Sequence, residues 1–159
     1  DAINGVSKTF RPVSGLESIK AAVEICGAQR IGHGVRITED ISNGSVGPTA
    51  TIVRDKKIAL EMCPSSNIQT GAAKSLAAHP IDELEKLGFA VTINTDNRLM
   101  SGTSMSKEVS LIVETFGWDF EKLEKATITA MNSAFISESE RGEIIEKIIK
   151  PGYAKISAE

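Results

Sequence analysis

The chain has 159 residues, of which 41% are hydrophobic and 25% charged, and its net charge is −3 at neutral pH. These values are typical of one globular domain, and they favour neither a nucleic-acid partner nor a membrane, because the longest apolar runs are too short to cross a bilayer. The two cysteines, Cys26 and Cys63, are isolated in the sequence. We therefore expect no zinc ribbon and no disulfide scaffold, and we expect a cytoplasmic location.

The first readable element is a helix. Residues 1–13 show no sustained period and are interpreted as a loop or a weak strand. Ser14 and Glu17 have the spacing of a capping box, and Gly27 is a typical residue after a helix end. Between them, apolar residues recur at helical spacing: Leu16, Ile19, Val23 and Cys26.

The segment 30–35 predicts a short strand in which His33 stands between Gly32 and Gly34. Glycine weakens a strand unless something approaches the backbone closely, so the two glycines indicate a crowded site. His33 is therefore a candidate functional residue. The alternative is a structural histidine between two glycines that allow tight packing.

A second buried strand is predicted at residues 58–64. Before it, residues 37–47 are interpreted as a loop, and Pro48 begins a short helix that runs to about Lys57. Glu61 is unusual within the strand, because a buried carboxylate needs a partner. Glu61 is therefore either paired or part of a site.

The next stretch is interpreted as a polar loop at residues 65–71, followed by a short helical piece at 72–78. Pro80 and Gly88 then bracket a helix at 81–87. His79 stands immediately before this helix, so we interpret it as an exposed or capping histidine rather than as a metal ligand.

The run from Ala90 to Asp96 predicts a third buried strand that ends abruptly in polar residues. In parallel α/β proteins, ligands and catalytic groups lie at the carboxyl ends of the strands. Asp96 is therefore a candidate site residue, and the alternative is that it only caps the following turn.

Helices complete the pattern, and they are predicted at 104–116, at 119–131 and after a second capping box formed by Ser137 and Glu140. Pro151 is expected to end the last helix. Three strands in alternation with helices predict right-handed crossovers and a parallel sheet.

Three segments, 30–35 (RIGHGV), 60–67 (LEMCPSSN) and 94–96 (NTD), together resemble the last three strand motifs of the adenosine deaminases, and the connecting segments resemble their bacterial members. The resemblance implies an α/β fold that is the C-terminal portion of a (β/α)₈ TIM barrel, with about three parallel strands. Residues 1–159 would then form a partial, incomplete barrel domain. We expect a missing N-terminal barrel half, because the family's early histidine motif and its general-acid glutamate have no counterpart in this sequence.

The resemblance also implies the chemistry, which is zinc-dependent hydrolytic deamination of adenosine to inosine and ammonia in purine salvage. Asp96 would be a Zn²⁺ ligand. His33 would orient and stabilise the attacking hydroxide, and we infer that Glu61 pairs with His33 and orients it. Asn97 stands where the better-known pattern has a second aspartate that contacts the purine nitrogen N7, and its amide can donate the same hydrogen bond.

Three readings stay open. The first is an adenosine deaminase-like aminohydrolase that acts on a small purine nucleoside, with the isolated 159-residue chain inactive because three zinc ligands and the general acid are not in it. The second is a non-catalytic fragment or relative. The third keeps the enzyme class and changes the substrate to adenine or another amino-purine.

Overall fold

A computed structural model describes residues 15–157 of the chain. The interpretation of residues 1–13 and the cap predicted at Ser14 lie outside these residues. In the described part, the three strands of the main sheet alternate with helices as the sequence pattern predicts, and two further short strands form a separate hairpin. The strands are β1 (Arg30–Gly32), β2 (Ile41–Ser42), β3 (Ser45–Val46), β4 (Ala59–Met62) and β5 (Val91–Ile93).

The helices are α1 (Leu16–Glu24), α2 (Pro48–Asp55), α3 (Pro64–Gln69), α4 (Ile81–Lys86), α5 (Arg98–Ser101), α6 (Met105–Phe116), α7 (Phe120–Asn132), α8 (Glu138–Ile144) and α9 (Lys150–Ser157). A 3₁₀ helix covers Val35–Asp40, and a π-helical turn covers Ile145–Ile149. The second capping box is confirmed, because the Ser137 and Glu140 side chains each bond the other residue's backbone N–H.

The main sheet has the order β1–β4–β5, and both pairs of strands are parallel. The register aligns Ile31 with Leu60 and Leu60 with Val91, so apolar side chains of neighbouring strands share one face. The helices pack on this face and bury it, which gives a single core. Its fully buried members are Ile19, Ile31, Ile37, Ala50, Val53, Leu60, Met62, Ile81, Leu84 and Ile112.

Strand alternation places Arg30, Glu61 and Thr92 on the opposite face of the sheet. Thr92 is buried there, whereas the side chains of Arg30 and Glu61 are about one-third exposed, at 33% and 34%. A parallel sheet with helices on one face and polar side chains on the other matches a segment of a barrel whose second face lines the lumen. The predicted fold class, a partial α/β barrel with three parallel strands, is confirmed.

Several local predictions were wrong. Residues 37–47 are not an open loop, because Val35–Asp40 forms a 3₁₀ helix and β2 pairs with β3 in a tight hairpin. Residues 64–69 form helix α3 rather than a polar loop, since Pro64 at the first turn and the short serine and asparagine side chains permit a helix there. Residues 72–78 form bends and turns, not a helical piece.

The C-terminal end of the helical pattern also differs from the prediction. At the other end, helix α1 begins at Leu16, and its N-cap residue is Gly15. Pro151 does not end the last helix, which continues through Ser157. The π-helical turn before Pro151, closed by a hydrogen bond from Lys150 N–H to the Ile145 carbonyl, shifts the backbone pattern where the proline contributes no N–H.

Candidate active site

The predicted site residues His33 and Asp96 meet at the carboxyl edge of the sheet. His33 follows β1 directly, and Asp96 lies three residues beyond β5. The strands that carry them are separated by β4, yet the two side chains turn toward each other, with His33 Nε2 3.6 Å from Asp96 Oδ2. The structure therefore brings together two residues that are 63 positions apart in the sequence.

Both residues have a left-handed backbone, with φ of +60° at His33 and +54° at Asp96. This conformation is costly for residues other than glycine, and it persists where the surrounding structure holds it and where function requires it. The His33 N–H donates to the Glu61 carbonyl at 3.0 Å, which continues the hydrogen bonding between β1 and β4 by one residue. The chain leaves the sheet after this bond. The turn aims the imidazole across the edge of the sheet toward Asp96.

The backbone conformation and close packing at position 34 explain why a glycine follows His33. Its φ is +70°, and a Cβ atom there would lie 2.7 Å from the Leu60 Cδ2 atom. A side chain at this position would be both strained and overlapped by the core. The expectation of a crowded site is therefore correct for Gly34.

The imidazole of His33 is buried, with 6% of the residue exposed. Burial lowers its pKa, because the charged form loses its hydration, and the nearby Asp96 carboxylate opposes this shift without cancelling it. The neutral imidazole is therefore the favoured form. Its Nδ1 atom lies 2.9 Å from Asn67 Nδ2, an amide nitrogen that can only donate.

Asp96 is the accessible half of the pair, and its side chain is 40% exposed. Its Oδ2 atom accepts a hydrogen bond from Ser66 Oγ at 2.7 Å, which ties the carboxylate to α3. A carboxylate that is positioned by a hydroxyl, open to solvent and placed at a strand end is suited to binding a cation. The alternative that Asp96 is only a cap is not supported, because the residue that caps α5 is Asn97.

Glu61 does not make the contact that was predicted for it. Its Oε1 atom lies 3.1 Å from Arg30 Nε, while the imidazole nitrogen Nδ1 of His33 takes its hydrogen bond from Asn67. The reason is strand register, because Gly32 aligns with Glu61 and Arg30 projects from the same face two residues earlier. The Glu61 carboxylate acts on the His33 imidazole through its charge, which raises the pKa of the imidazole against the larger effect of burial.

Asn97 lies at the rim of the site and is exposed. It is the N-cap of α5, where its Oδ1 atom accepts the Met100 N–H at 3.2 Å. This cap uses the amide oxygen and directs the amide nitrogen, with its two donors, away from the helix. The geometry thus agrees with a donor role next to Asp96.

His79 was expected to be exposed or capping, and the first alternative was wrong. The residue is only 3% exposed, and it contacts Asn67 of α3 and Ile81 of α4. The second alternative agrees with its contact to α4, because its Nδ1 accepts the N–H of Ile81, the first residue of that helix, at 3.3 Å. Its Nε2 lies 3.0 Å from Asn67 Oδ1, and burial lowers its pKa to about 4.

The sequence analysis did not single out the buried polar residues Asn67 and Glu108, which lie next to the site. Asn67 is fully buried and contacts both histidines of the chain. Glu108 is also fully buried, and its carboxylate accepts the Ser65 N–H at 3.0 Å and the Thr103 hydroxyl. The helical spacing between Glu108 and the core residue Ile112 is a signal in the sequence that could have identified this carboxylate as inward-facing.

The nearby thiol of Cys63 is not a reactive group. Burial raises its pKa to about 12, and the charges of Asp96 and Glu61 add to this effect. The thiol donates to the Glu61 carbonyl at 3.3 Å. It is therefore protonated at neutral pH and contributes packing rather than nucleophilic chemistry.

Within residues 15–157, no group of three or more His, Cys, Asp or Glu side chains is arranged to hold a metal ion. Catalytic zinc sites generally use three protein ligands and leave one position open. Asp96 fits such a site as one carboxylate ligand, because it is oriented by Ser66, partly exposed and adjacent to a neutral imidazole. Over the same residues, no helix is both long and apolar enough to cross a membrane.

Comparison with known proteins agrees with this geometry. The family model described as adenosine deaminase matches residues 12–151. Adenosine deaminase from Mycolicibacterium vanbaalenii is 56% identical over 145 residues, which cover 88% of this chain and 40% of that protein. Adenosine deaminase 1 from Streptomyces coelicolor is 54% identical over 150 residues, which cover 91% of this chain and 38% of that protein.

The solved structures show the same architecture. An adenine deaminase from Arthrobacter aurescens superposes with a TM-score of 0.78 and 20% identity, over 89% of this chain and 41% of that one. A zinc-bound amidohydrolase from Burkholderia ambifaria superposes with a TM-score of 0.77 and 16% identity, over 91% and 38%. At these identities the likeness shows the fold alone.

The fold and the polar edge thus define the chain as part of a (β/α)₈-type barrel. The chain belongs to the adenosine deaminase family, and it spans about 40% of the length of the curated relatives that it matches.

Proposed function

We propose that this chain is the part of an adenosine deaminase that supplies one zinc ligand and the residues that act beside the metal. The reaction is hydrolytic removal of the 6-amino group of adenosine to give inosine and ammonia, as a step of purine salvage. The observation that carries the proposal is the placement of His33 Nε2 3.6 Å from Asp96 Oδ2 at the carboxyl edge of the sheet. The relatives with 54–56% identity, which are named as adenosine deaminases, support the choice of substrate.

Asp96 would hold the zinc ion, and its bond from Ser66 keeps one carboxylate oxygen oriented. When bound, zinc supplies Lewis-acid activation of water at neutral pH. The remaining ligands would come from outside residues 15–157. The zinc-bound structure from Burkholderia ambifaria supports a metal in this fold, and the donor chemistry of Asp96 supports zinc at this edge.

His33 would stabilise the negative charge that develops on the attacking oxygen. Its low pKa favours a neutral ring, so the group that it offers is an N–H donor rather than a cation. A donor already aimed at the place where charge develops costs little reorganisation during the reaction. Because the imidazole is buried on its other side, water does not compete for that side of the ring.

Asn97 would read the purine ring. With its oxygen committed to the cap of α5, its amide nitrogen is the atom available to donate to N7, an acceptor. Glu61 keeps a proposed electrostatic role, in which its carboxylate and Arg30 form a pair beneath the site. Two free cysteines are consistent with a reducing compartment, so we place the enzyme in the cytoplasm.

A fusion tests this proposal. The chain is joined to the portion of the Mycolicibacterium vanbaalenii adenosine deaminase that it does not match, and the purified fusion is assayed with adenosine and with adenine. We expect zinc binding and deamination of adenosine by the fusion, and neither by the 159-residue chain alone, because its described residues supply one zinc ligand, whereas catalytic zinc sites generally need at least three.

Each other outcome has a distinct meaning. A fusion that binds zinc and prefers adenine would assign the chain to adenine deamination. A folded, zinc-binding fusion without activity on any amino-purine would identify a non-catalytic relative. Steady turnover and stoichiometric zinc in the chain alone would contradict the assignment of Asp96 as a single contributed ligand.

A further inference from the structure

A line of hydrogen bonds connects the start of helix α4 to the candidate site. The Ile81 N–H lies 3.3 Å from His79 Nδ1, and His79 Nε2 lies 3.0 Å from Asn67 Oδ1. Asn67 Nδ2 then lies 2.9 Å from His33 Nδ1. The three residues, His79, Asn67 and His33, are 3%, 0% and 6% exposed, so water has little access to the bonds.

The Ile81 N–H, the donor at the start of this line, fixes the direction of every hydrogen bond along it. A backbone N–H can only donate, so His79 Nδ1 must be an unprotonated acceptor, and the neutral ring then carries its proton on Nε2. That Nε2–H donates to the Asn67 oxygen. The amide nitrogen of Asn67 therefore faces His33, and His33 Nδ1 must accept.

The Asn67 amide is held in this orientation from two sides. Its Oδ1 also accepts the Cys63 N–H at 3.2 Å. A flipped amide would place its NH₂ group against two donors, and both would lose their acceptor in a buried position. Asn67 thus has one orientation compatible with its surroundings.

We propose that Asn67 is a positioning residue whose amide, oriented by His79, holds His33 in the tautomer that carries its proton on Nε2. The Nε2–H then points to the Asp96 side of the site, where the two side chains are 3.6 Å apart. Without this relay, a neutral histidine could also carry its proton on Nδ1, and it would then present a lone pair, not a donor, to the reaction. The catalytic consequence rests on the proposed function, whereas the tautomer itself does not.

Nitrogen-15 NMR of the 159-residue chain tests the tautomer directly, because the chain contains only two histidines. We expect both imidazoles to carry the proton on Nε2 and to have an unprotonated Nδ1 at neutral pH. His79→Gln leaves a single imidazole and assigns the signals. A proton on His33 Nδ1 in the unsubstituted chain would overturn the proposal without any need for a variant.

Asn67→Asp is the sharpest substitution. Aspartate keeps an oxygen for His79 Nε2–H and for the Cys63 N–H, and it replaces only the donor that faces His33 with an acceptor. We expect His33 Nδ1 to gain a proton while His79 keeps its Nε2–H tautomer. Gln69→Glu is the matched control, since it makes the same amide-to-carboxylate change on α3 at an exposed position that contacts the Ser101 carbonyl instead of a histidine.

If His33 Nδ1 remains unprotonated in a folded Asn67→Asp chain, the proposed relay is overturned. In the fusion enzyme, Asn67→Asp should retain zinc and lower kcat at least about 100-fold with little change in KM, and Gln69→Glu should leave both constants unchanged. A kcat unaffected by Asn67→Asp would overturn the catalytic consequence. If the unsubstituted fusion fails to deaminate adenosine, the proposed function fails separately, and the NMR spectra still decide the tautomer.

Discussion

Burial of His79 predicts that the folded chain loses stability as the pH falls from 7 to 5. The pKa of the imidazole is about 4 in the folded chain, whereas an unfolded histidine titrates near about 6.5. Between these values the unfolded state binds the extra proton, so the free energy of unfolding decreases as the pH falls through this window. One pKa unit corresponds to about 1.36 kcal/mol, and the titration of this one group therefore removes about 2 kcal/mol between pH 7 and pH 5.

Urea unfolding at pH 7 and pH 5 measures this loss, and His79→Gln isolates it. The glutamine does not titrate, so the difference between the pH dependences of the two proteins is the share of His79. We expect the variant to be less stable at pH 7, where two hydrogen bonds are weakened, but less sensitive to acid. Equal acid sensitivity in the two proteins would refute the assignment of a buried neutral imidazole.

Three further substitutions test other parts of the structure. Gly34→Ala should lower the free energy of unfolding by about 2–4 kcal/mol, because the alanine would be strained at this positive φ and its Cβ would overlap the core. Gly117→Ala is the control, because its φ is +67° but its Cβ would meet open space, and it should cost about 1 kcal/mol in the same urea titration. Desolvation alone would raise the pKa of Asp82, but hydrogen bonds from two lysines and a tryptophan hold it below the ordinary value. Asp82→Asn should therefore cost about 1 kcal/mol of stability at pH 7, and less as the pH falls through the folded pKa of Asp82. Chemical unfolding at pH 7 and at pH 3 should show that the free energies of unfolding of the two proteins differ less at pH 3. In the fusion, Asn97→Asp keeps the cap of α5 but removes the amide donor, so kcat/KM for adenosine should become more sensitive to alkaline pH. In the unsubstituted fusion, 7-deazaadenosine should bind about 1–3 kcal/mol more weakly than adenosine. Equal kcat/KM values for the two substrates would show that Asn97 does not recognise N7.

The parallel strands and two of the site positions could be predicted from local sequence. Apolar β-branched runs that end in polar residues mark the carboxyl edge of a sheet, and His33 and Asp96 lie at such ends. Gly34, which follows His33, was informative because a Cβ atom at this position would overlap the core. A glycine in the sequence can therefore indicate close packing against the backbone.

The contacts of the site could not be predicted, because they depend on the packing of segments that are distant in sequence. Asn67 contacts His33 across 34 positions, and no local period indicates which polar side chain of a short helix faces inward. The partner of Glu61 was missed for a different reason. The register of β1 against β4 decides whether Arg30 or His33 reaches the carboxylate, and strand register is fixed only when the sheet forms.

The central claim is that Asp96 binds the metal while His33 acts on the reaction, and one measurement on the fusion enzyme separates these roles. Zinc content by elemental analysis and kcat for adenosine are determined for Asp96→Ala and His33→Ala, with Gln69→Glu as the control. The account predicts that Asp96→Ala loses zinc, and that His33→Ala retains zinc while kcat falls about 10²–10³-fold. Loss of zinc in His33→Ala together with full zinc in Asp96→Ala would contradict it.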